Sequence, residues 1–474
     1  MRSQSIQNYI KHVFTTRSCG MHDVALAERA IKWVLCSFQP LESHILLEAI
    51  RYDTEGSRVV QKEPQTQERI LSLCQDLLTL DQATKVWTLP HASVAEYFLS
   101  EVWTSWKCDV FASKVCLGVL ESPQPERREK SNFADYAHLY WGKHVQRYEQ
   151  WLETTKKKRV DTNLTVALEH FLVSPGKSSG NYRKWAESGF MGERFRPSNM
   201  ALFAMCRYGF YYTLRDWWRG GTINMEMALR NNEEGYNSLA LAVQSDCKPI
   251  CKHLVELINA RHPDANRHAG ALKTAIEENN FEMLEFLMSN TEASVNHAPR
   301  GMSRYKSRYA NATAAQYAAG LRPGMLQWMV DQNLVYLERE NDNGYDDGNI
   351  LIAAVSEGKV DSVEILLEAG ANVNAAVHNG RYGSALVSAA RNGDPDIVDM
   401  LLKKGADPNL PLKGGDYGSA FEASVATRSN SNEENRRKVQ QLLLKAGANS
   451  TAIFGQGVHS PRQRSTDKKK SSRT

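Results

Sequence analysis

The stretch Val363-Glu364-Ile365-Leu366-Leu367-Glu368-Ala369-Gly370-Ala371-Asn372-Val373-Asn374 returns 35 residues later as Val398-Asp399-Met400-Leu401-Leu402-Lys403-Lys404-Gly405-Ala406-Asp407-Pro408-Asn409. A second string precedes each copy at the same spacing: Gly348 to Ala354, Gly383 to Ala389 and Gly418 to Ser424. The third copy closes with Gly447-Ala448-Asn449. Apolar residues three and four apart, ended by glycine, describe a helix with one buried face and a left-handed stop, and Ala-Asn or Ala-Asp then leads into a turn. Small residues such as Ala354 and Ala389 let a preceding helix lie close to its neighbour. A fixed period of this length means units that bury their apolar faces only against one another.

The period and the closing pattern resemble the ankyrin repeat. In that register, weaker copies extend upstream, with the first-helix apolar position at Leu202, Leu239, Leu272, Ala315, Leu351, Leu386 and Phe421. Seven units are expected, the first four degenerate. The second helices of those four are expected at Tyr211 to Trp218, Ile250 to Ile258, Phe281 to Met288 and Met325 to Val330. The seventh carries an insertion of seven residues around Arg428 to Asn435, polar enough for a protruding loop.

The N-terminal third is patterned differently. Val24 to Phe38 places Leu26, Ala30, Ile31, Trp33, Val34 and Phe38 on one face, and a short helix carrying Ile45, Leu46, Ala49 and Ile50 follows Pro40. A third helix is expected over Thr66 to Thr79, then a strand at Lys85 to Leu89, which is the plan of a winged helix. Ser93, with Glu96 three residues on, predicts a capping box opening the next helix.

The segments Ala27 to Leu35, Gln39-Pro40-Leu41, Leu71 to Cys74 and His91 to Leu99 resemble the winged-helix module, often labelled GPI inositol-deacylase-like, that follows the NACHT domain in fungal NACHT-ankyrin proteins. Asn132 to His144 is similar to the helical connector that precedes their ankyrins. The resemblance implies a mainly α protein with a winged-helix domain, a helical connector and an ankyrin-repeat solenoid. Its expected divisions are a helical leader at 1–23, the winged helix at 24–105, the connector at 106–196, the repeats at 197–452 and a disordered basic tail at 453–474. It also implies a non-enzymatic scaffold or sensor without the family's nucleotide-binding motor. The Gly-x4-Gly-Lys-Ser/Thr loop is absent: five residues before Gly176-Lys177-Ser178 stands Phe171. The chain is therefore expected to be a truncated or motorless relative that binds no nucleotide and carries no cofactor.

Charge and composition exclude several other classes. The net charge is +4, but the last twenty residues carry +5, leaving 52 basic against 53 acidic residues elsewhere. A near-neutral body argues against a phosphate-binding face. A winged-helix DNA regulator, the principal alternative, is disfavoured because Glu68, Arg69 and Asp76 give the third helix a net negative charge. The runs at Lys156 to Arg159 and Lys468 to Lys470 read as solvated charge, with nuclear import the alternative to a cytoplasmic location. No apolar run is long enough to span a bilayer, so no membrane partner is expected. Gly176-Lys177-Ser178-Ser179-Gly180 matches a nucleophile elbow but lacks the strand-to-helix turn that would strain Ser178. The eight cysteines show no CxxC pair and read as reduced core thiols, and the thirteen histidines show no metal spacing.

Recognition of a protein partner by the concave repeat face is the expected activity. Register places first-helix ends at Ser356, Glu357, Arg391 and Asn392, and hairpin tips at His378, Arg381, Tyr382, Lys413, Asp416 and Tyr417. Tyr and Arg suit an interface because each joins contact area to a directional polar group. Tyr382 and Tyr417 have an alternative role, packing between consecutive hairpins.

Overall fold

The computed structural model describes residues 21–99, 104–122, 132–155, 160–188, 200–232, 235–260, 265–298, 312–340, 348–426 and 433–450. Most of the leader, the Lys156 to Arg159 run, the core of the polar insertion and all but the first residues of the C-terminal segment lie outside them. The basic tail at 453–474 lies wholly outside the described residues. The chain forms two compact units, Met1–Arg261 and His262–Thr474.

In the first unit, α1 (Met21–Cys36) and α2 (Ser43–Ala49) bury the predicted apolar faces, with Leu26, Ala30, Ile31, Trp33 and Leu46 fully enclosed. A hairpin that the sequence reading did not anticipate follows: β1 (Tyr52–Glu55) pairs antiparallel with β2 (Arg58–Gln61). Arg29 anchors it, its Nη1 2.6 Å from Asp53 Oδ2 and its Nε donating to the Ile50 carbonyl at 2.9 Å. The third helix, α3 (Gln67–Cys74), is shorter than expected. Thr66 Oγ1 caps its start, and Gln75, at φ 46°, ends it ahead of a single 3₁₀ turn. The wing then forms from β3 (Thr79–Leu80) and β4 (Trp87–Thr88), with Glu42 bridging to Val86. The cap of α4 (Ala92–Tyr97) is His91, whose Nδ1 accepts from the Ser93 amide at 3.1 Å. Ser93 is therefore inside the helix, because the extended His91 reaches its first-turn amides before Ser93 does.

The connector comprises α5 (Ser105–Glu121), α6 (Phe133–Thr154), α7 (Thr162–Leu172) and α8 (Gly180–Glu187). A capping box between Asn132 and Asp135 fixes the start of α6. Helix α5 is buried on nearly every side, packing on α1, α6, α7 and both strands of the β1–β2 hairpin. Trp33 is ringed edge-on by Phe111, Phe133 and Tyr136, with centroids 5.0 to 5.9 Å away. The winged helix and the connector thus share one core.

Beyond the connector come α9 (Ala201–Tyr208) with α10 (Arg215–Arg219), then α11 (Met225–Leu229), then α12 (Ser238–Gln244) with α13 (Lys248–Asn259). Trp141 of α6 packs among Phe171, Trp185, Tyr208 and Phe210, joining the connector to the first of these pairs.

The second unit is a stack of helix pairs: α14 (Ala269–Glu277) with α15 (Phe281–Asn290), α16 (Ala314–Leu321) with α17 (Pro323–Asp331), α18 (Ile350–Ser356) with α19 (Val360–Glu368), α20 (Ala385–Asn392) with α21 (Pro395–Lys403), and α22 (Ala420–Val425) with α23 (Glu433–Lys445). First helices pack on first helices in the order α14, α16, α18, α20, α22, and second helices pack on second helices from α17 to α23. The register residues Leu272, Ala315, Leu351 and Leu386 are buried in this seam, while Phe421, on the last pair, is half-buried. Gly370, Gly405 and Gly447 hold φ of 92°, 88° and 90°, the left-handed stop that the repeat pattern predicts.

Candidate functional site

Two loops project from the stack, at 372–384 and 407–419, and their bases are tied by a ladder of asparagines. Asn374 donates from Nδ2 to the Gly405 carbonyl at 2.9 Å and accepts at Oδ1 from the Asp407 amide at 2.8 Å. Asn409 repeats both bonds, to the Gly447 carbonyl and from the Asn449 amide, each at 2.8 Å. Glu338 extends the ladder by accepting from the Asn372 amide at 2.8 Å. Asn374 and Asn409 thereby each satisfy one carbonyl and one amide of the next unit, groups that a loop otherwise leaves to water.

The tips of the loops touch backbone to backbone. The Asp416 amide donates to the Arg381 carbonyl at 2.8 Å, and the Val377 amide donates to Gly383 at 2.9 Å within the first loop. A Cβ on Gly414 would overlap the His378 carbonyl, so only glycine permits this approach. The loops form a fixed shelf from which side chains project.

The residues singled out from sequence divide into three groups. Arg381, Lys413 and Asp416 are exposed on the shelf, with Arg381 Nε 3.9 Å from Asp416 Oδ2. His378 is exposed beside them, its Nδ1 3.3 Å from Glu340 Oε1. Arg391 and Tyr417 are half-buried and joined, Nε donating to the phenol oxygen at 2.6 Å. Asn392 is exposed, but its Nδ2 donates to the Val355 and Ser356 carbonyls at 3.1 Å, stitching α20 to α18. Glu357 is half-buried at the end of α18. Ser356 and Tyr382 are buried, at 8% and 7% exposure, which corrects their assignment to a partner surface. Ser356 turns its hydroxyl to the Ala353 carbonyl at 3.2 Å, and the Tyr382 ring lies 5.8 Å from the Arg381 guanidinium. Sequence reasoning missed the bonding role of Asn374 and Asn409, although their recurrence at the end of each copy was the signal. Glu338 and Glu340 gave none, since they reach their partners across 34 and 38 residues.

The residues singled out for other chemistries, Ser178, Arg69 and the cysteines, lie in the first unit. Ser178 lies in an irregular loop between α7 and α8, where Ser179 caps α8 by accepting from the Tyr182 amide at 2.9 Å. Both ring nitrogens of the buried His144 are already engaged, Nδ1 with Asp109 at 2.8 Å and Nε2 with the Tyr136 hydroxyl at 2.9 Å. Burial drives His144 below the usual histidine range despite that carboxylate, so it stays neutral. A cavity of about 320 Å³ lies beside this chain, but its Arg147 is bonded to the Cys36 carbonyl at 2.8 Å and its Asp109 to His144. The seven described cysteines are free and buried, and burial pushes Cys108 and Cys247 up to about 12, away from thiolate chemistry. On α3, Arg69 is held by Asp23 at 2.8 Å. Among the described residues no helix is long and apolar enough to cross a membrane.

Two family models match parts of the chain. The family model described as the winged helix domain of GPI inositol-deacylase matches residues 14–111, and that of ankyrin repeats, in three copies, matches residues 309–411. No curated protein matches the chain. Similar solved structures include the ankyrin repeat domain of Bcl-3, described as a unique member of the IkappaB protein family. It is 22% identical, with 52% of this chain and 99% of that one covered and a TM-score of 0.36. The human ASB11 ankyrin repeat domain is 20% identical, covering 52% of this chain and 98% of that one, with a TM-score of 0.36.

Proposed function

We propose that this chain is a non-enzymatic scaffold that recognises another protein through the shelf of its ankyrin repeats. The observation that carries this reading is the locked pair of loops at 372–384 and 407–419. A surface fixed by the asparagine ladder and by backbone contact loses little conformational entropy on binding, which is what a recognition face requires. The joining of this winged-helix type to ankyrin repeats supports kinship with fungal NACHT-ankyrin proteins, in which such repeats sense and a nucleotide domain switches. Within residues 1–474 there is no phosphate-binding loop, and the reading includes no nucleotide, cofactor or catalytic step.

Capture of binding proteins on the immobilised 474-residue chain, repeated with the double variant Arg391→Ala/Tyr417→Phe, tests the proposal. Specific partners should be retained by the parent chain and lost or sharply reduced with the double variant. Capture that ignores the shelf, Mg²⁺-dependent ATP binding, or labelling by a serine-directed probe that Ser178→Ala removes, would overturn it.

A further inference from the structure

The cavity of about 320 Å³ in the first unit is bounded by α1, α5 and α6, and the scaffold reading gives it no role. Two of its lining residues are charged, Asp109 and Arg147, and the bonds described above occupy only one atom of each. The Tyr136 hydroxyl accepts from the Phe38 amide at 3.2 Å and donates to His144 Nε2, so Nδ1 carries the hydrogen that is given to Asp109 Oδ1. Asp109 Oδ2 has no hydrogen-bond partner among the described residues, although the residue is only 5% exposed. Arg147 commits Nη1 to the Cys36 carbonyl and rests over the Phe38 ring at 3.6 Å, while its Nη2 and Nε bond to nothing among the described residues.

A fixed acceptor therefore stands beside a fixed donor, with Arg147 Nη1 3.7 Å from Asp109 Oδ1, and their charges cancel. The indoles of Trp106 and Trp151, stacked with centroids 4.8 Å apart, supply an aromatic wall. A buried carboxylate oxygen gains most from a guest that brings a donor to it, and an aromatic wall favours a flat body. Equal and opposite charges favour a neutral guest over an ion. Ligand cavities run from about 300 to 1,000 Å³, so this one suits one or two fused rings.

We propose that the cavity binds a small, flat, uncharged ring bearing an N–H beside a C=O, a lactam or cyclic imide. The N–H meets Asp109 Oδ2, the C=O meets the Arg147 guanidinium, and the ring lies against Trp106 and Trp151. The site lies within the first unit, requires no phosphate group on its guest, and goes beyond the scaffold reading without depending on it.

The test uses the 474-residue chain and saturation-transfer NMR with 2-quinolone, N-methyl-2-quinolone, benzamidine and benzoate. 2-Quinolone should bind, and its N-methyl derivative, which keeps ring and carbonyl but has no N–H, should bind about tenfold more weakly. The cation and the anion should each bind more weakly than 2-quinolone. Ser105 is an exposed lining residue, and Ser105→Trp should abolish binding by filling the cavity. Asp109→Asn, which can keep an acceptor toward His144 while offering an N–H in place of Oδ2, should lose about tenfold. Circular dichroism checks both variants, and the comparison of the two quinolones on the parent chain decides the matter even where Asp109→Asn fails to fold. The shelf variant Arg391→Ala/Tyr417→Phe should bind 2-quinolone as the parent does, so loss of partner capture and loss of ring binding are separate results. No binding of 2-quinolone, equal binding of its N-methyl derivative, preference for benzamidine or benzoate, or binding that survives Ser105→Trp overturns the inference.

Discussion

Glu149 is the residue whose chemistry departs furthest from what its position in the sequence suggests. Fully enclosed in α6, it accepts from the Tyr212 and Thr213 amides at 2.8 and 2.9 Å and from the Thr213 hydroxyl, so one carboxylate closes the turn after α9. Burial pushes its pKa up to about 7, against the opposing pull of those donors. A raised carboxylate holds a proton in the fold that the unfolded chain has released, so its stabilising contribution is full below the ordinary glutamate range and fades as pH rises to about 7. His144 has the opposite sign: neutral in the fold, it loses stability as pH falls below the usual histidine range. The two partly cancel in the parent chain. In Glu149→Gln only the histidine slope remains, so urea midpoints across pH 4.5 to 7 should show the deficit of the variant shrinking as pH rises, by up to about 3 kcal/mol. A deficit independent of pH would show that Glu149 is ionised throughout. Nothing local in Tyr148-Glu149-Gln150 announces this role, because its partners come from 63 and 64 residues away.

The helix pairs were legible as elements because their signals are local: alternating small and branched residues, then a glycine. Where such signals lie close together, as at Gly370, Gly405 and Gly447, sequence and structure coincide. The β1–β2 hairpin escaped notice since its strands mix charged and apolar residues, and packing on α5 leaves one side of it half-buried. That contact is close: a Cβ on Gly118 would overlap Val59. Gly118→Ala should therefore destabilise the first unit by about 1–3 kcal/mol, despite the better helix propensity of alanine; a stabilised variant would mean that the hairpin gives way. In the second unit, Asn409→Ala removes both bonds to the last helix pair, at a cost of about 1 kcal/mol each. Hydrogen exchange should then speed up in α23 with little change in α18, whereas uniform acceleration would place the ladder outside the local stability of the end pair. The displaced cap at His91 shows the limit of motif reading, since its ring nitrogen takes the amide of Ser93 itself and starts the helix ahead of the predicted cap.

At the scale of the molecule, composition separates the two compact units for experiment. Nine of the ten tryptophans lie in Met1–Arg261 and only Trp328 in His262–Thr474, while helices occupy both. Denaturation followed by tryptophan fluorescence reports the first unit, and far-ultraviolet circular dichroism reports both. The two signals are expected to follow different transitions, with the fluorescence change confined to one of them; superimposable curves would show a single cooperative molecule. The repeats foretold the second unit well, but the aromatic enclosure of Trp33 and Trp141 is assembled from α1, α5, α6 and the first helix pair together. No window of sequence holds such a core.

The asparagine rungs have one further consequence. Asn374 reaches Gly405 across 31 residues, and Asn409 makes the same bond to Gly447 across 38. Seven extra residues were accommodated between two unchanged points of attachment, so the span from α22 to α23 is a splice point. A reporter peptide or a foreign epitope placed there would ride on the array without altering how its last two layers are fastened.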